Sequence, residues 1–325
     1  MGNVETMRDA ALYFHYPCFD GLVSAVLASE FLETHEDWHI SEFQPLDYTL
    51  REAWLSAKFE KPTAIVDFLY HPQAEFWADH HRTSFLTPAA KEDFERRRRQ
   101  FQLLFDARAR SCASLLFRSL RSFLSHKPHL KEMVTWAGKI DSASYSSVTE
   151  AILGENPALR IARTISSDDE CGPDYARFLL HQLRDHDLAY VAALDEVKSR
   201  EKRTRRRILK GLESLKAKIR LEKGDVAVLD ARPKGHQVIN RYTPYYFRPE
   251  ARYSISVVRS RDGIRITAMR NPWRKFRSIP LGRAFAKFGG GGHERVGAVQ
   301  LPADRRNHVG DVVKSLLSEM QHRAR

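Results

Sequence analysis

Two short apolar runs, each reaching a side chain able to bind metal, constrain this chain more than any other feature: ALYFH (Ala11–His15) and TAIVDF (Thr63–Phe68). Both have the length and apolar character of strands. Between them GLVSAVLASEFLE, from Gly21, carries Leu22, Val26 and Phe31 at positions that can pack inward from a helix. EFWADHH reads as a third, shorter strand. The order strand, helix, strand, strand, followed by helical periodicity, predicts an α/β domain. Ligands of such sheets gather beyond the carboxyl ends of the strands, which is where His15, Asp20, Asp67 and His80 fall.

From Lys91 to Ala143 the pattern is helical: FERRRRQFQLLF puts Phe94, Phe101, Leu104 and Phe105 near one stripe, and CASLLFRSLRSFL and HLKEMVTWAGKID continue it. A highly charged helical stretch follows between about Leu188 and Glu222. After Gly224-Asp225 the composition changes. VAVLD, RYSISVVRS and GIRITAM read as strands, with Arg261-Asp262-Gly263 as the turn between the last two, and a final helix covers Val309 to Met320. At 325 residues two domains are expected. The fold expected is α/β: a larger, mostly parallel-sheet domain over residues 1–190, a charged helical linker over 191–222, and a smaller α/β domain over 223–325.

Lys and Arg outnumber Asp and Glu by 53 to 41, a net charge of +12 that favours a polyanionic partner without specifying chemistry. Cys18, Cys112 and Cys171 form an odd set without CxxC spacing, which argues against a disulfide framework or structural zinc site and for a reducing compartment. The opening MGNVETMRDA has no apolar signal stretch and no run approaches a membrane span, so a cytoplasmic protein is expected. Nothing marks an oligomer interface.

Four separated groups can carry chemistry: HYPCFDG with His15, Cys18 and Asp20; IVDF with Asp67; ADHH with Asp79, His80 and His81; and KIDS with Asp141. Carboxylate and imidazole donors suit Mn²⁺, Mg²⁺ or another first-row divalent ion. Two such ions side by side neutralise phosphate oxygens and support in-line attack by water. Each group alone also fits an ordinary polar strand end: Asp79 can cap a turn and His80 can bond to backbone. Their shared strand-end setting is what makes the set informative.

On these motifs the chain resembles the DHH phosphoesterase superfamily, in particular members with an attached DHHA1 domain. Asp79-His80-His81 is similar to the signature itself, HYPCFDG to the first motif, IVDF to the second, and Asp141 to the later acidic ligand. The resemblance implies that His15 ligates one metal and Asp20 the other, that Asp67 contacts both, and that His80 and Asp141 complete the second site. It also implies that Asp79 orients a neighbour, and that His81 touches the scissile phosphate or carries a proton. One departure is plain. Where many members have a first aspartate, this chain has Cys18, which can ligate as a thiolate, stand beside the metal, or leave the first site altered or incomplete.

KFGGGGHERVGA (Lys287–Ala298) offers Gly289, Gly290, Gly291 and Gly292 as backbone that can approach an anion, with His293 and Arg295 as directed contacts; a plain flexible turn is the alternative. The segment resembles the DHHA1 substrate-binding motif, which implies that it holds a terminal phosphate or nucleotide. NPWRKFR places Trp273 among Arg274, Lys275 and Arg277, a mixture suited to stacking and phosphate contact or equally to a mixed strand edge. The Arg96–Arg99 and Arg205–Arg207 runs read as solvated helix faces. The function expected is a metal-dependent phosphoesterase that cuts phosphodiester bonds of short oligonucleotides or single-stranded nucleic-acid ends to nucleoside monophosphates. Its alternatives are an exopolyphosphatase, a cyclic-dinucleotide phosphodiesterase, and a nucleic-acid-binding protein whose metal pair Cys18 has compromised.

Overall fold

The computed structural model describes residues 7–99, 102–165, 171–232, 239–260, 263–292 and 294–322. The chain divides into two compact units. The first runs to Ser144 and resumes over Glu155–Glu201; the second joins Tyr145–Gly154 to the chain from Lys202 onward.

In the first unit, β1 (Arg8–His15), β2 (Trp38–Leu46), β3 (Thr63–Val66), β4 (Phe76–Asp79) and β5 (Gln102–Phe105) form a five-stranded sheet in the order β2-β1-β3-β4-β5. Every pairing is parallel. β3 and β4 are buried along their whole length, as central strands covered on both faces must be. Helix α1 (Phe19–His35) is buried on all sides from Phe19 to Leu32, so it is an interior helix and not a half-wet one. It packs against β1, α3 (Cys112–Ser119), α5 (Pro128–Asp141) and α8 (Pro173–Asp185). The opposite face of the sheet is aromatic, with Trp54, Phe68, Tyr70, Trp77 and Phe94 of α2 (Pro88–Arg97) in one cluster. Helices α4 (Arg121–Leu124), α7 (Pro157–Thr164) and α9 (Leu188–Ala193) complete this unit, while α6 (Val148–Leu153) lies in the segment that belongs to the second.

The second unit carries a six-stranded mixed sheet in the order β10-β11-β9-β8-β7-β6. Its strands are β6 (Ile219–Glu222), β7 (Val226–Ala231), β8 (Tyr253–Arg259), β9 (Ile264–Arg270), β10 (Gly291–Gly292) and β11 (Val296–Leu301). Only β7 and β8 pair parallel. Helix α10 (Asp195–Leu215) runs across the boundary at Glu201, and α11 (Thr243–Phe247), α12 (Leu281–Ala286) and α13 (Val309–His322) complete the order. Val226, Ile255, Ile266, Leu281, Phe285 and Leu316 form the core of this unit.

The structure corrects two readings of the sequence. The helix expected through FERRRRQFQLLF stops at Arg97, and Gln102–Phe105 is the edge strand β5, whose Leu103 is buried. Leu104 and Phe105 fit the stripe of a helix, whereas Leu103 and Phe105 share one face of a strand, and parallel pairing to β4 decides between the two. The charged helix likewise ends at Leu215, before Glu222. Ile219–Glu222 turns back antiparallel to β7 through Gly224 and Asp225, which both hold left-handed conformations. Tyr145–Gly154 groups with the second unit although it lies within the stretch assigned to the first domain. The Arg261-Asp262 turn, Phe101 and His293 lie outside the described residues. Among the described residues no helix is long and apolar enough to cross a membrane.

Candidate metal centre

Strand order places the site. β1 has β2 on one side and β3 on the other, so the chain changes direction across the sheet between β1 and β3, the place where ligands of such sheets bind beyond the carboxyl ends. Phe14 pairs with Val66 and Val66 with Ala78, which sets His15, Asp67 and Asp79 side by side at that end.

His15 is the last residue of β1, and its Nδ1 lies 3.4 Å from Asp67 Oδ2. Burial, then the neighbouring His81, pulls its imidazole down to about 4, which keeps the ring neutral and its lone pair available. Asp67 follows β3 directly with φ of 55°, a left-handed conformation that aspartate tolerates better than most residues and that recurs where strain serves a site. Its amide donates to Ala78 O at 2.9 Å, so the bend is held by the next strand. Burial, then Asp20, Asp79 and Asp141, pushes its carboxyl well above the usual range.

Asp20 lies in the first turn of α1 and accepts from the amides of Cys112 at 2.7 Å and Ala113 at 3.0 Å, the first two residues of α3. One carboxylate thus serves two helix N-termini, both favourable places for negative charge. Gly21 permits the approach of α1 to β1: a Cβ there would stand 1.9 Å from His15 O.

Asp79 closes β4 and is saturated by local partners. It accepts from His80 N at 2.7 Å, His81 N at 3.3 Å, His81 Nδ1 at 2.8 Å and the hydroxyl of buried Ser84. Burial opposes its charge, yet the His81 bond prevails and its carboxyl is held below the usual range. Burial also opposes charge on His81, but Asp79, Asp141 and Asp20 outweigh it and raise the imidazole to about 9. Asp79 therefore fixes the ring of His81 through Nδ1, as second-layer carboxylates do at metal sites.

His80 is set differently. Its Nδ1 donates to Ala109 O at 3.3 Å, leaving the Nε2 lone pair aimed at carboxylates: Asp141 Oδ2 at 3.5 Å, and Asp20 Oδ2 and Asp67 Oδ1 at 3.8 Å each. Asp141 is the last residue of α5, where the helix dipole disfavours a carboxylate and a cation would offset it.

The structure brings together every sequence-predicted ligand. His15, Cys18 and Asp67 form one donor group; Asp20, His80 and Asp141 another; and Asp67, Asp79, His80 and His81 a third, with donor atoms in each within 4.8 Å of one another. Asp67 turns Oδ2 toward His15 and Oδ1 toward His80, and so faces both of the first two groups. The fit of an ion can be tested on the buried polar atoms of this cluster. Asp67 Oδ1 and His80 Nε2 are both buried and neither has a hydrogen-bond partner. Leaving such atoms unsatisfied costs on the order of 1–3 kcal/mol each, and a divalent ion among oxygen and nitrogen donors is the partner that suits both. The sequence gives no sign of Tyr48, whose ring packs 4.9 Å from that of His15, because β2, the strand that delivers it, is not legible there either. Ser84 and the α3 amides are equally silent in the sequence.

The second unit presents the other expected residues. Trp273 is half-buried in an aromatic cluster, its ring 5.5 Å from Tyr242 and 6.1 Å from Tyr245, and its Nε1 donates to Tyr145 O at 3.0 Å. Arg274 is exposed and bonds Glu250 O. Gly289 and Gly290 donate their amides to Ala286 O and Phe285 O in the turn after α12, at 3.2 and 3.0 Å, while Gly291 and Gly292 form β10 against β11. Of the four amides expected to meet an anion, those two are already engaged. Arg295 is exposed.

No protein-family model matches the chain, and no curated protein matches it in sequence. Solved structures do match in fold. A pGpG-specific phosphodiesterase, PggH from Vibrio cholerae, superposes with a TM-score of 0.71 at 19% identity, over 96% of this chain and 99% of its own. RecJ from Thermus thermophilus in complex with Mn²⁺ gives a TM-score of 0.58 at 16% identity over 97% of this chain, which spans only 52% of RecJ. An exopolyphosphatase-related protein from Bacteroides fragilis gives 0.51 at 13% identity, over 98% and 93% of the two chains. The DHH-superfamily resemblance read from the motifs therefore holds at the level of fold.

Proposed function

We propose that this protein is a metal-dependent phosphodiesterase that hydrolyses short linear oligonucleotides to nucleoside monophosphates, with a 5′-phosphorylated dinucleotide as the first substrate to test. The observation that carries this reading is the paired orphans Asp67 Oδ1 and His80 Nε2, buried amid carboxylates and imidazoles at the carboxyl end of a parallel sheet. Support for a small substrate comes from the likeness to the pGpG-specific phosphodiesterase, which extends over nearly the whole length of both chains.

In this reading His15, Asp67 and Cys18 hold one divalent ion, and Asp20, His80, Asp141 and Asp67 the other, Mn²⁺ being the ion to try first. The ions, when bound, supply charge neutralisation at the phosphate and a water acidic enough to attack at neutral pH. The remaining work falls to protein groups. Asp79 holds His81 in one orientation through Nδ1, and His81 gives a proton to the leaving oxygen. Asp20 and the α3 amides keep the carboxylate layer from shifting as charge moves. In the second unit, the glycine segment with His293 and Arg295 contacts substrate phosphate, and Trp273 and Arg274 contact a base and its phosphate.

The test is a mass-resolved product assay with Mn²⁺ on a 5′-phosphorylated dinucleotide, longer RNA and DNA strands, a cyclic dinucleotide and polyphosphate. The expected result is mononucleotide release from the short linear substrate, lost in Asp67→Asn. Turnover of polyphosphate or cyclic dinucleotide alone would replace the substrate assignment. Salt-sensitive binding of nucleic acid without turnover, in folded and metal-loaded protein, would replace the enzymatic reading with a binding one.

A further inference from the structure

Cys18 stands at the N-cap of α1, where an oxygen side chain is the ordinary choice. It is half-buried, and its sulfur lies with a nitrogen of His15 and an oxygen of Asp67 in a group whose donor atoms are all within 4.8 Å of one another. A lone cysteine carries little meaning. Here a second feature points to a ligand: Asp67, 1% exposed, shares this donor group and turns its unpartnered Oδ1 to the adjoining one at His80, so a buried carboxylate with an unmet oxygen stands between the two. The other thiol near the crevice has a different fate. Cys112 is fully buried and its Sγ donates to Ala78 O at 3.1 Å, so it is committed to backbone.

We infer that Cys18 is a ligand, and that the His15, Cys18 and Asp67 group selects a thiophilic divalent ion such as Zn²⁺, Co²⁺ or Fe²⁺ over Mg²⁺. The inference rests on the reading of this crevice as a metal centre and deepens it by assigning unlike chemistry to its two donor groups. Asp20, His80 and Asp141 offer oxygen and imidazole, a set that hard and borderline ions accept. Cys18 adds sulfur to the first group, and thiolate favours softer first-row ions while Mg²⁺ keeps its water and oxygen ligands. On binding, the thiol loses its proton to solvent as the sulfur–metal bond forms, so one proton is released for each ion taken up at this position.

The experiment is titration of the ion-free, full-length protein with Co²⁺ under anaerobic conditions, following the near-ultraviolet sulfur-to-cobalt charge-transfer band. Wild type and Cys171→Ser are expected to show the band. Cys18→Ser is expected to lose it while still binding Co²⁺ at the remaining donors, with an unchanged thermal melt showing that the fold is intact. Should Cys18→Ser fold poorly, Cys18→Asp provides the same spectroscopic loss with a side chain that can still ligate. A second arm equilibrates wild type and Cys18→Asp with equimolar Zn²⁺ and excess Mg²⁺ and measures retained metal after gel filtration. Zinc retained by wild type and displaced more readily from Cys18→Asp supports the assignment. Co²⁺ bound by wild type without the band, or a band that persists in Cys18→Ser, overturns it. The spectroscopic result is independent of turnover: a band with no hydrolysis removes the proposed function and leaves the ligation, whereas hydrolysis without a band does the reverse.

Discussion

The two sheets of this protein end their strands in contrasting ways. In the first unit the carboxyl ends of β1, β3 and β4 gather carboxylates and imidazoles and leave Asp67 Oδ1 and His80 Nε2 without partners. In the second unit the residues singled out for function already have partners: Trp273 Nε1 is bonded to Tyr145 O, and the Gly289 and Gly290 amides close a turn. Unsatisfied buried groups are costly, and two that face each other among carboxylates and imidazoles are groups that one ion would satisfy together. The contrast is between a donor cluster whose orphaned atoms an ion would satisfy and a surface where Trp273 and two glycine amides are already engaged within the protein.

The contrast is broken most severely at Asp67. Losing a carboxylate that faces both donor groups should cost more than the roughly 10–100-fold expected for an outer-layer residue, so Asp67→Asn should lower turnover at least about 100-fold while binding nucleic acid at low salt. Measured kcat and a filter-binding curve check this; retained turnover would remove Asp67 from the centre. Next comes His81→Gln, which keeps a hydrogen-bonding side chain but cannot deliver a proton. A drop of about 100-fold in kcat, with the alkaline limb of the pH profile flattened, is the expected outcome.

A third comparison lies within the first unit. His71 packs against Trp54 and Phe59, and among the described residues no carboxylate faces it as the histidines near Asp67 and Asp79 are faced. Burial, then Lys58, depresses its imidazole to about 4 from 6.5. A histidine depressed in the folded state contributes stability above its unfolded value and loses it as pH falls, here across the window from about 6.5 down to about 4. Urea melts should therefore show about 1–2 kcal/mol less stability at about pH 5 than at about pH 7 from this group, and His71→Leu should lessen the difference.

The smallest effects separate structure from binding among the glycines. A Cβ at Gly290 would stand 2.3 Å from Ala298 O, so Gly290→Ala should cost on the order of 1–3 kcal/mol of stability. At Gly291 nothing lies within 4 Å of an added methyl, and Gly291→Ala should leave the melt unchanged. A raised KM in Gly291→Ala without loss of stability would identify that backbone as a contact for substrate.

Much of the first unit is legible in the sequence because its signals are local. β1, β3 and β4 contain apolar runs of strand length, and α1 is rich in apolar residues around its whole circumference, so its identity does not depend on partners. The candidate ligands His15, Asp67 and His80 are legible for the same reason: each closes or follows one of these strands. β5 is hidden because Gln102–Phe105 follows an arginine-rich helix whose period it continues, and only pairing with β4 distinguishes the two states. β2 is hidden by its mixture: Trp38–Leu46 alternates buried and exposed residues imperfectly and contains Pro45, which an edge strand tolerates. The double duty of Asp20 is not legible at all. Its partners Cys112 and Ala113 lie far along the chain, and backbone amides leave no mark in a sequence.

Tyr145–Gly154 sits in sequence between two parts of the first unit and groups with the second. On the ribosome this means that the earliest piece of the second unit emerges before the first unit has received Glu155–Glu201, and must wait for the chain beyond Lys202 before its own neighbours exist. Neither unit is a continuous stretch of chain. A gene fragment cut at Lys202 would give one half an unaccompanied helix and deprive the other of it, so production of either half alone calls for a circular rearrangement or a graft in place of truncation.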